Sequence, residues 1–292
     1  MSYGACVKRS GFSATAKRGA LEGWTSGEGP EVLLLHGGPG LSYEYLDGLA
    51  GEIGPGFLIA AFQQRGLAPS TVEGPFDLDT AVADAVAILD ALQWDRAWVV
   101  GHSWGGYLLL HMLTTASGRL HGGLAVEPLG GIGDGGWDAF NAEMDARTPE
   151  NDRRRAQELD ERAMRGEGTP EEAIESMRLC WPAYFASPER VMPFPSFRCS
   201  VAAYAGLIDA TQTATPRLEL ALTRVDTPFG CVAAARSPLP YEQAAAPTAR
   251  SIPGAWLEVI EDAGHFPWFE HPGCVRAALK RLVEPAPPEH AG

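Results

Sequence analysis

The segment Gly101-His102-Ser103-Trp104-Gly105 constrains this chain more than any other feature. It follows the apolar run Ala97-Trp98-Val99-Val100 and leads through Gly106 into the helical stretch Tyr107–Leu113. A G-x-S-x-G sequence between a strand and a helix makes a turn so tight that flanking side chains would clash. Gly101 and Gly105 therefore answer a steric demand. The turn lifts the serine hydroxyl above the C-terminal edge of a sheet. A chance Gly-Ser-Gly turn would lack the strand before it and the helix after it.

The neighbouring segments supply that sheet. Val32-Leu33-Leu34-Leu35 reads as a buried strand that stops at Gly37-Gly38-Pro39-Gly40, and Phe57–Phe62 reads as a second. Asp77 opens a helix with Leu78, Val82, Val86 and Leu89 on one face, and Asp77 and Asp79 suit its N-terminal dipole. Gly123-Leu124-Ala125-Val126 is a further strand, ending at Glu127. Short apolar runs alternating with helical patterns indicate βα units around a parallel sheet.

From about Gly130 to Pro216 no strand is evident. Trp137–Arg147, Pro149–Met164 and Thr169–Leu179 read as helices, the last with an N-cap, a proline at N1 and a capping-box acid in Thr169, Pro170 and Glu172. Pro182, Pro188, Pro193 and Pro195 then break the chain into loops. The sheet resumes with Phe229–Ala235. A helix around Tyr241–Ser251, a strand Trp256–Ile260, a helix from near Pro272 to Val283 and a frayed tail Pro285–Gly292 follow. The expected organisation is a core over 1–130 and 217–292, with a helical cap over 131–216 inserted after the strand that ends at Glu127.

The net charge of −14 argues against nucleic acid, which needs clustered Lys and Arg. The one basic run, Arg153-Arg154-Arg155, is flanked by Glu150, Asp152 and Glu158 and reads as a solvated helix face. Cys6, Cys180, Cys199, Cys231 and Cys274 are scattered, with no CxxC pair and no metal-ligand spacing, as expected of reduced thiols in a cytoplasmic protein. Met1–Thr15 has no continuous apolar core of the signal-peptide kind. No stretch approaches the ~18 apolar residues of a membrane helix. The expectation is a cytoplasmic protein with a small-molecule substrate and no nucleic-acid or membrane partner. Its oligomeric state stays open.

A serine hydroxyl is a weak nucleophile and needs a base. His265, in Asp262-Ala263-Gly264-His265-Phe266-Pro267, follows the last strand. His36 precedes a turn, His102 is inside the elbow, His111 is on the following helix and His121 starts a strand; His271 and His290 lie in a helix cap and a tail. A developing oxyanion needs two backbone donors. Trp104 N–H, just after the serine, is one candidate, and Gly38 N–H, in the loop after the first parallel strand, is the other.

Leu35-His36-Gly37-Gly38-Pro39-Gly40, Gln64-Arg65-Gly66 and Gly101–Gly106 together resemble the α/β-hydrolase superfamily, a likeness that runs along nearly the whole chain. The N-terminal half is similar to the proline iminopeptidase group. The resemblance implies an α/β-hydrolase fold, with a mostly parallel central sheet flanked by helices, and a serine hydrolase with Ser103 as nucleophile and His265 as base. It implies no metal or organic cofactor. The peptidase group has Asp-Gln-Arg-Gly-x-Gly-x-Ser where this chain has Gln63-Gln64-Arg65-Gly66-Leu67-Ala68-Pro69-Ser70. Serine at 103 argues against a dehalogenase or epoxide hydrolase, where an aspartate attacks.

The superfamily's usual acid follows the next-to-last strand in a Gly-x-x-Asp-Pro segment. Here that stretch is Ala234-Ala235-Arg236-Ser237-Pro238, with serine at the aspartate position. Asp226 precedes the strand and lies at the wrong edge. Glu261 and Asp262 share the loop of His265, Asp209 sits in the insertion, and a site with no acid is a further possibility. Glu127 is favoured: some α/β-hydrolases put their acid there, and it keeps the order Ser…Glu…His.

The expected chemistry is two-step acyl transfer on an ester, thioester or lactone. Three alternatives stand beside it. One is a proline iminopeptidase-like aminopeptidase, needing cap carboxylates such as Glu143, Asp145, Asp160 or Glu161. The others are a C–C bond hydrolase with the same residues and a catalytically silent binding protein. Trp104, Trp137, Trp181, Tyr184, Phe185 and Phe194 are available for an acyl pocket, although aromatic residues in a helical cap more often serve packing.

Overall fold

The apolar runs become the central strands of one sheet in a computed structural model that describes residues 8–284. The first seven residues, among them Cys6 and the start of the N-terminal stretch Met1–Thr15, and the tail Pro285–Gly292 with His290 lie outside the described residues. The strands are β1 (Arg9–Ala16), β2 (Gly19–Gly27), β3 (Glu31–Leu35), β4 (Leu58–Phe62), β5 (Ala97–His102), β6 (Leu120–Val126), β7 (Phe229–Ala234) and β8 (Trp256–Ile260). The helices are α1 (Leu46–Ile53), α2 (Leu78–Ala91), α3 (Trp104–Thr115), α4 (Trp137–Arg147), α5 (Glu150–Met164), α6 (Pro170–Cys180), α7 (Val201–Leu222), α8 (Ala245–Ser251), α9 (Pro267–Glu270) and α10 (Cys274–Val283).

Across the sheet the strand order is β1-β2-β4-β3-β5-β6-β7-β8. β1 pairs antiparallel with β2 and β2 with β4; every other neighbour is parallel. The central strands alternate between two cores, as side chains of period two must. Leu33 and Leu35 of β3 join Ile88 of α2 and Leu108 of α3 on one face, whereas Val32 and Leu34 join Leu49 of α1 and Leu279 of α10 on the other. This is the expected α/β-hydrolase architecture.

The antiparallel β1–β2 hairpin was not anticipated. Its segments, Arg-Ser-Gly-Phe-Ser-Ala-Thr-Ala and Gly-Ala-Leu-Glu-Gly-Trp-Thr-Ser-Gly, are poor in large apolar residues. The antiparallel register and the neighbouring β4 hold them. The face expected on α2 is rotated: Leu78, Ala85, Ile88 and Leu89 are buried, together with Asp84, which lies in a buried ion pair with Arg65 at 2.7 Å. Asp77 caps the helix as read, its side chain accepting from the Thr80 N–H.

The helical block after β6 matches the sequence reading as far as α6, including the capping box at Thr169 and Glu172. Its expected end at Pro216 does not match, because α7 runs through Pro216. Proline removes one helix hydrogen bond. The helix continues because Leu207, Thr211, Thr215, Leu218 and Leu222 bury one face. α3 also grips it: Trp104 Nε1 donates to Thr211 Oγ1 at 3.0 Å, and the Tyr107 hydroxyl donates to the Thr211 carbonyl at 3.1 Å. The helix read over Tyr241–Ser251 begins only at Ala245.

Candidate active site

β5 delivers Ser103 to the turn, and α3 begins at the next residue. Ser103 has φ 55° and ψ −121°, a conformation that a side chain rarely adopts and that stores about 1–3 kcal/mol of strain. Its N–H donates to the Val126 carbonyl at 3.0 Å, which ties the turn to β6. A Cβ at Gly101 would collide with the Gly105 carbonyl, and one at Gly105 would collide with the Leu35 carbonyl.

His265 lies in the loop after β8, and its own N–H donates to the Tyr184 carbonyl at 2.7 Å. Its Nδ1 meets Glu127 Oε2 at 3.1 Å. Glu127 is the residue just after β6 and is 1% exposed. Its backbone is left-handed, with φ 50°. The Ala234 N–H donates to its other oxygen, Oε1, at 2.5 Å. Ser237 stands beside the pair, with its Oγ 3.4 Å from His265 Nδ1, and its hydroxyl also favours the ionised form of Glu127.

The other acids weighed for this place lie elsewhere. Asp262 pairs with Arg236 at 3.4 Å on the surface, and Glu261, Asp209 and Asp226 are exposed. Burial pushes the Glu127 carboxyl up, against the pull of Ser237, the Ala234 N–H and the Arg147 charge. Burial likewise pushes the His265 imidazole down, so the ring is neutral at neutral pH, as a base must be.

Gly38 and Trp104 both face the same cavity as Ser103 and His265. Neither of their N–H groups has an intramolecular acceptor among the described residues. The orientation of Gly38 has a cause that sequence reasoning missed. His36 Nε2 accepts from the Gln64 N–H at 3.2 Å, so its Nδ1 carries the proton and donates to the Gly37 carbonyl at 3.0 Å. That carbonyl belongs to the trans peptide whose N–H is that of Gly38, so holding one end aims the other the opposite way. The usable signal was the place of His36 directly before Gly37-Gly38. Burial lowers His36 to about 4, which keeps it neutral.

The cavity has a volume of about 500 Å³. Trp104, Trp137, Trp181 and Tyr184 line it; Phe185 and Phe194 pack against Trp181 instead. Of the cap acids, Asp145 and Asp160 reach the cavity, while Glu143 and Glu161 pair with Arg147 and Arg165. The basic run divides as well: Arg155 pairs with Glu175 at the surface, but Arg153 lines the cavity, contrary to a wholly solvated face. Ser103 Oγ and His265 are not hydrogen-bonded to each other among the described residues. Such contacts tighten when substrate arrives. Among the described residues, no group of three or more His, Cys, Asp or Glu could hold a metal ion, and no helix is long and apolar enough to cross a membrane.

A sequence profile of the alpha/beta hydrolase family matches residues 32–278. The chain belongs to this family. Among its relatives, epoxide hydrolase B of Mycobacterium tuberculosis is 36% identical over 81 residues, 27% of this chain and 23% of that protein. A proline iminopeptidase of Clostridioides difficile is 34% identical over 85 residues, 28% of this chain and 29% of that protein. These matches span less than a third of either relative. An alpha/beta fold family hydrolase from Bacillus anthracis superposes with a TM-score of 0.71 at 17% identity, over 94% of this chain and 99% of that one. That likeness shows that this alpha/beta hydrolase keeps the fold at low sequence identity.

Proposed function

We propose that this alpha/beta hydrolase is a serine hydrolase that works through an acyl-enzyme on a small carbonyl substrate, an ester, thioester or lactone. One observation carries the reading: Ser103, raised on a strained elbow, shares a cavity with His265, whose far ring nitrogen is held by Glu127. Ser103 Oγ attacks the carbonyl carbon while His265 Nε2 takes its proton. The oxyanion sits against the N–H groups of Gly38 and Trp104. His265 then protonates the leaving group, which departs as the acyl-enzyme forms. Water, deprotonated by the same nitrogen, releases the acid and restores Ser103. Glu127 fixes the Nδ1–H tautomer and stabilises the imidazolium. No step calls for a metal or organic cofactor.

Several relatives are named epoxide hydrolases, but the nucleophile speaks against that reaction here. A carboxylate that opens an epoxide forms an ester, which water can cleave. A serine that opens one forms an ether, which the same site cannot hydrolyse. Residues of α4, α5 and α6 line the cavity, which supports reading the stretch 131–216 as a cap over the site. Cys180, Cys199, Cys231 and Cys274 are free thiols, which fits a reducing cytoplasm.

Asp160 favours a second reading, an aminopeptidase of the proline iminopeptidase kind. It lines the cavity, accepts a hydrogen bond from Ser176 at 2.8 Å, and has no Lys or Arg partner among the described residues, so a substrate ammonium could answer it. A panel of short-chain aryl esters against prolyl arylamides decides between the two. Ester turnover that exceeds arylamide turnover supports the first reading, and the reverse order overturns it. Failure of a fluorophosphonate to label Ser103 would remove both.

A further inference from the structure

We propose that Tyr45 and His102 form a buried hydrogen-bonded strut that sets the oxyanion loop and the base loop at a fixed separation, which makes both of them positioning residues. The inference rests on the serine hydrolase reading, since that separation matters only if Ser103 is acylated between the two loops.

The polarity of every bond in the strut follows from the one acceptor at its end. The His265 carbonyl oxygen can only accept, and it lies 2.9 Å from His102 Nε2. His102 Nε2 must therefore carry a proton. The ring is buried and lies against the His265 ring, and both influences hold it neutral. A neutral imidazole protonated at Nε2 presents a lone pair at Nδ1. The Tyr45 hydroxyl, 2.9 Å from that Nδ1, must then donate to it. This leaves a lone pair on the Tyr45 oxygen for the Gly37 N–H, which donates to it at 2.5 Å. Burial raises the Tyr45 hydroxyl, so it keeps its proton.

The chain of bonds thus runs from Gly37 N–H through Tyr45 and His102 to the His265 carbonyl. One end holds the peptide adjacent to the one that bears the Gly38 N–H. The other holds the backbone of the base. The middle is the residue next to Ser103. Both rings are packed so that they have little freedom: Tyr45 stacks with Trp268, and His102 meets Trp268 edge-on with centroids 4.8 Å apart. Hydrogen bonds in such a dry chain polarise one another, and an unpaired member is costly.

The test begins with fluorophosphonate labelling of the native protein at Ser103; no labelling there would defeat the parent reading and not the strut alone. With labelling established, Tyr45→Phe keeps the ring and deletes the hydroxyl. The strut predicts a fall in kcat of about 10–100-fold with KM nearly unchanged, because an oxyanion donor is loosened rather than removed. Native kcat in this variant would overturn the proposal. Tyr45→Phe combined with His102→Gln should cost little more than the worse single change; losses that simply multiply would show two independent packing effects and overturn it. Should the variants fail to fold, ¹⁵N NMR of native His102 still decides. The strut requires protonated Nε2 and bare Nδ1, and the opposite tautomer would refute it.

Discussion

Replacing Glu127 with glutamine changes one oxygen into an NH₂ group and leaves the size of the side chain intact. Both carboxylate oxygens are engaged, Oε1 by the Ala234 N–H at 2.5 Å and Oε2 by His265 Nδ1 at 3.1 Å. An amide cannot accept at both places. If its oxygen stays with Ala234, its NH₂ faces His265 Nδ1 and selects the tautomer with a lone pair there. Nε2 then carries the proton and cannot take one from Ser103. If the amide flips, two N–H donors face each other in a buried site, a penalty of about 1–3 kcal/mol. The first arrangement therefore prevails. The expected fall in kcat is about 10⁴-fold, or ~5.5 kcal/mol of barrier. Pre-steady-state hydrolysis of a p-nitrophenyl ester measures it, with the burst reporting acylation alone. Near-native acylation in a folded Glu127→Gln protein would show that Glu127 does not govern the base.

Three further outcomes follow from neighbouring features. Adding Ser237→Asp to the Glu127→Gln variant places a carboxylate beside His265 Nδ1, since Ser237 Oγ is already 3.4 Å from it; kcat should recover by about 10-fold or more out of the loss expected for the missing partner, and the absence of any recovery would show that position 237 cannot serve the base. Burial lowers His36 and His111 to about 4 and also lowers His102 and His265, so the unfolded chain binds more protons below its ordinary histidine range. Stability is then fully present above about pH 6.5 and falls on acidification at about 1.4 kcal/mol per pH unit for each such ring, with Glu127, raised by burial, acting the other way; urea midpoints equal at about pH 7.5 and 5.5 would contradict this. Arg65→Ala strands Asp84 in a pair whose side chains are only 4% and 6% exposed and should destabilise by about 3–5 kcal/mol in denaturant titration.

Local signals carried much of this molecule. β3, β5 and β6 carry short apolar runs beside glycines, and α6 has a capping box and a proline at its start that operate over a few residues. The elbow was legible because its two glycines are required by contacts within the turn. The hairpin β1–β2 was not, since its stability comes from pairing with a strand far along the chain. α7 went unread, since what holds it through Pro216 is a buried face that packs on Trp104 and Tyr107 and not local propensity. Among the candidate site residues, Ser103 was nominated by its motif and His265 and Glu127 by their places after strands, and all three lie beyond the ends of β5, β8 and β6 at one sheet edge. Arg153 was read as solvated because its charged neighbours are visible in sequence while the cavity is not. The tasks of His36 and Tyr45 were not legible because they depend on which hydrogen-bonding partner faces each side-chain atom, and that is decided only in three dimensions.

The central claim is that Ser103 is a nucleophile activated by His265. Treating the native protein, His265→Ala and Ser103→Ala with a fluorophosphonate, followed by mass mapping of the labelled peptide, tests it directly. The account predicts a single adduct on Ser103 in the native protein, a large loss of labelling rate in His265→Ala, and none in Ser103→Ala. An adduct on another residue, or labelling that is indifferent to His265, would contradict it.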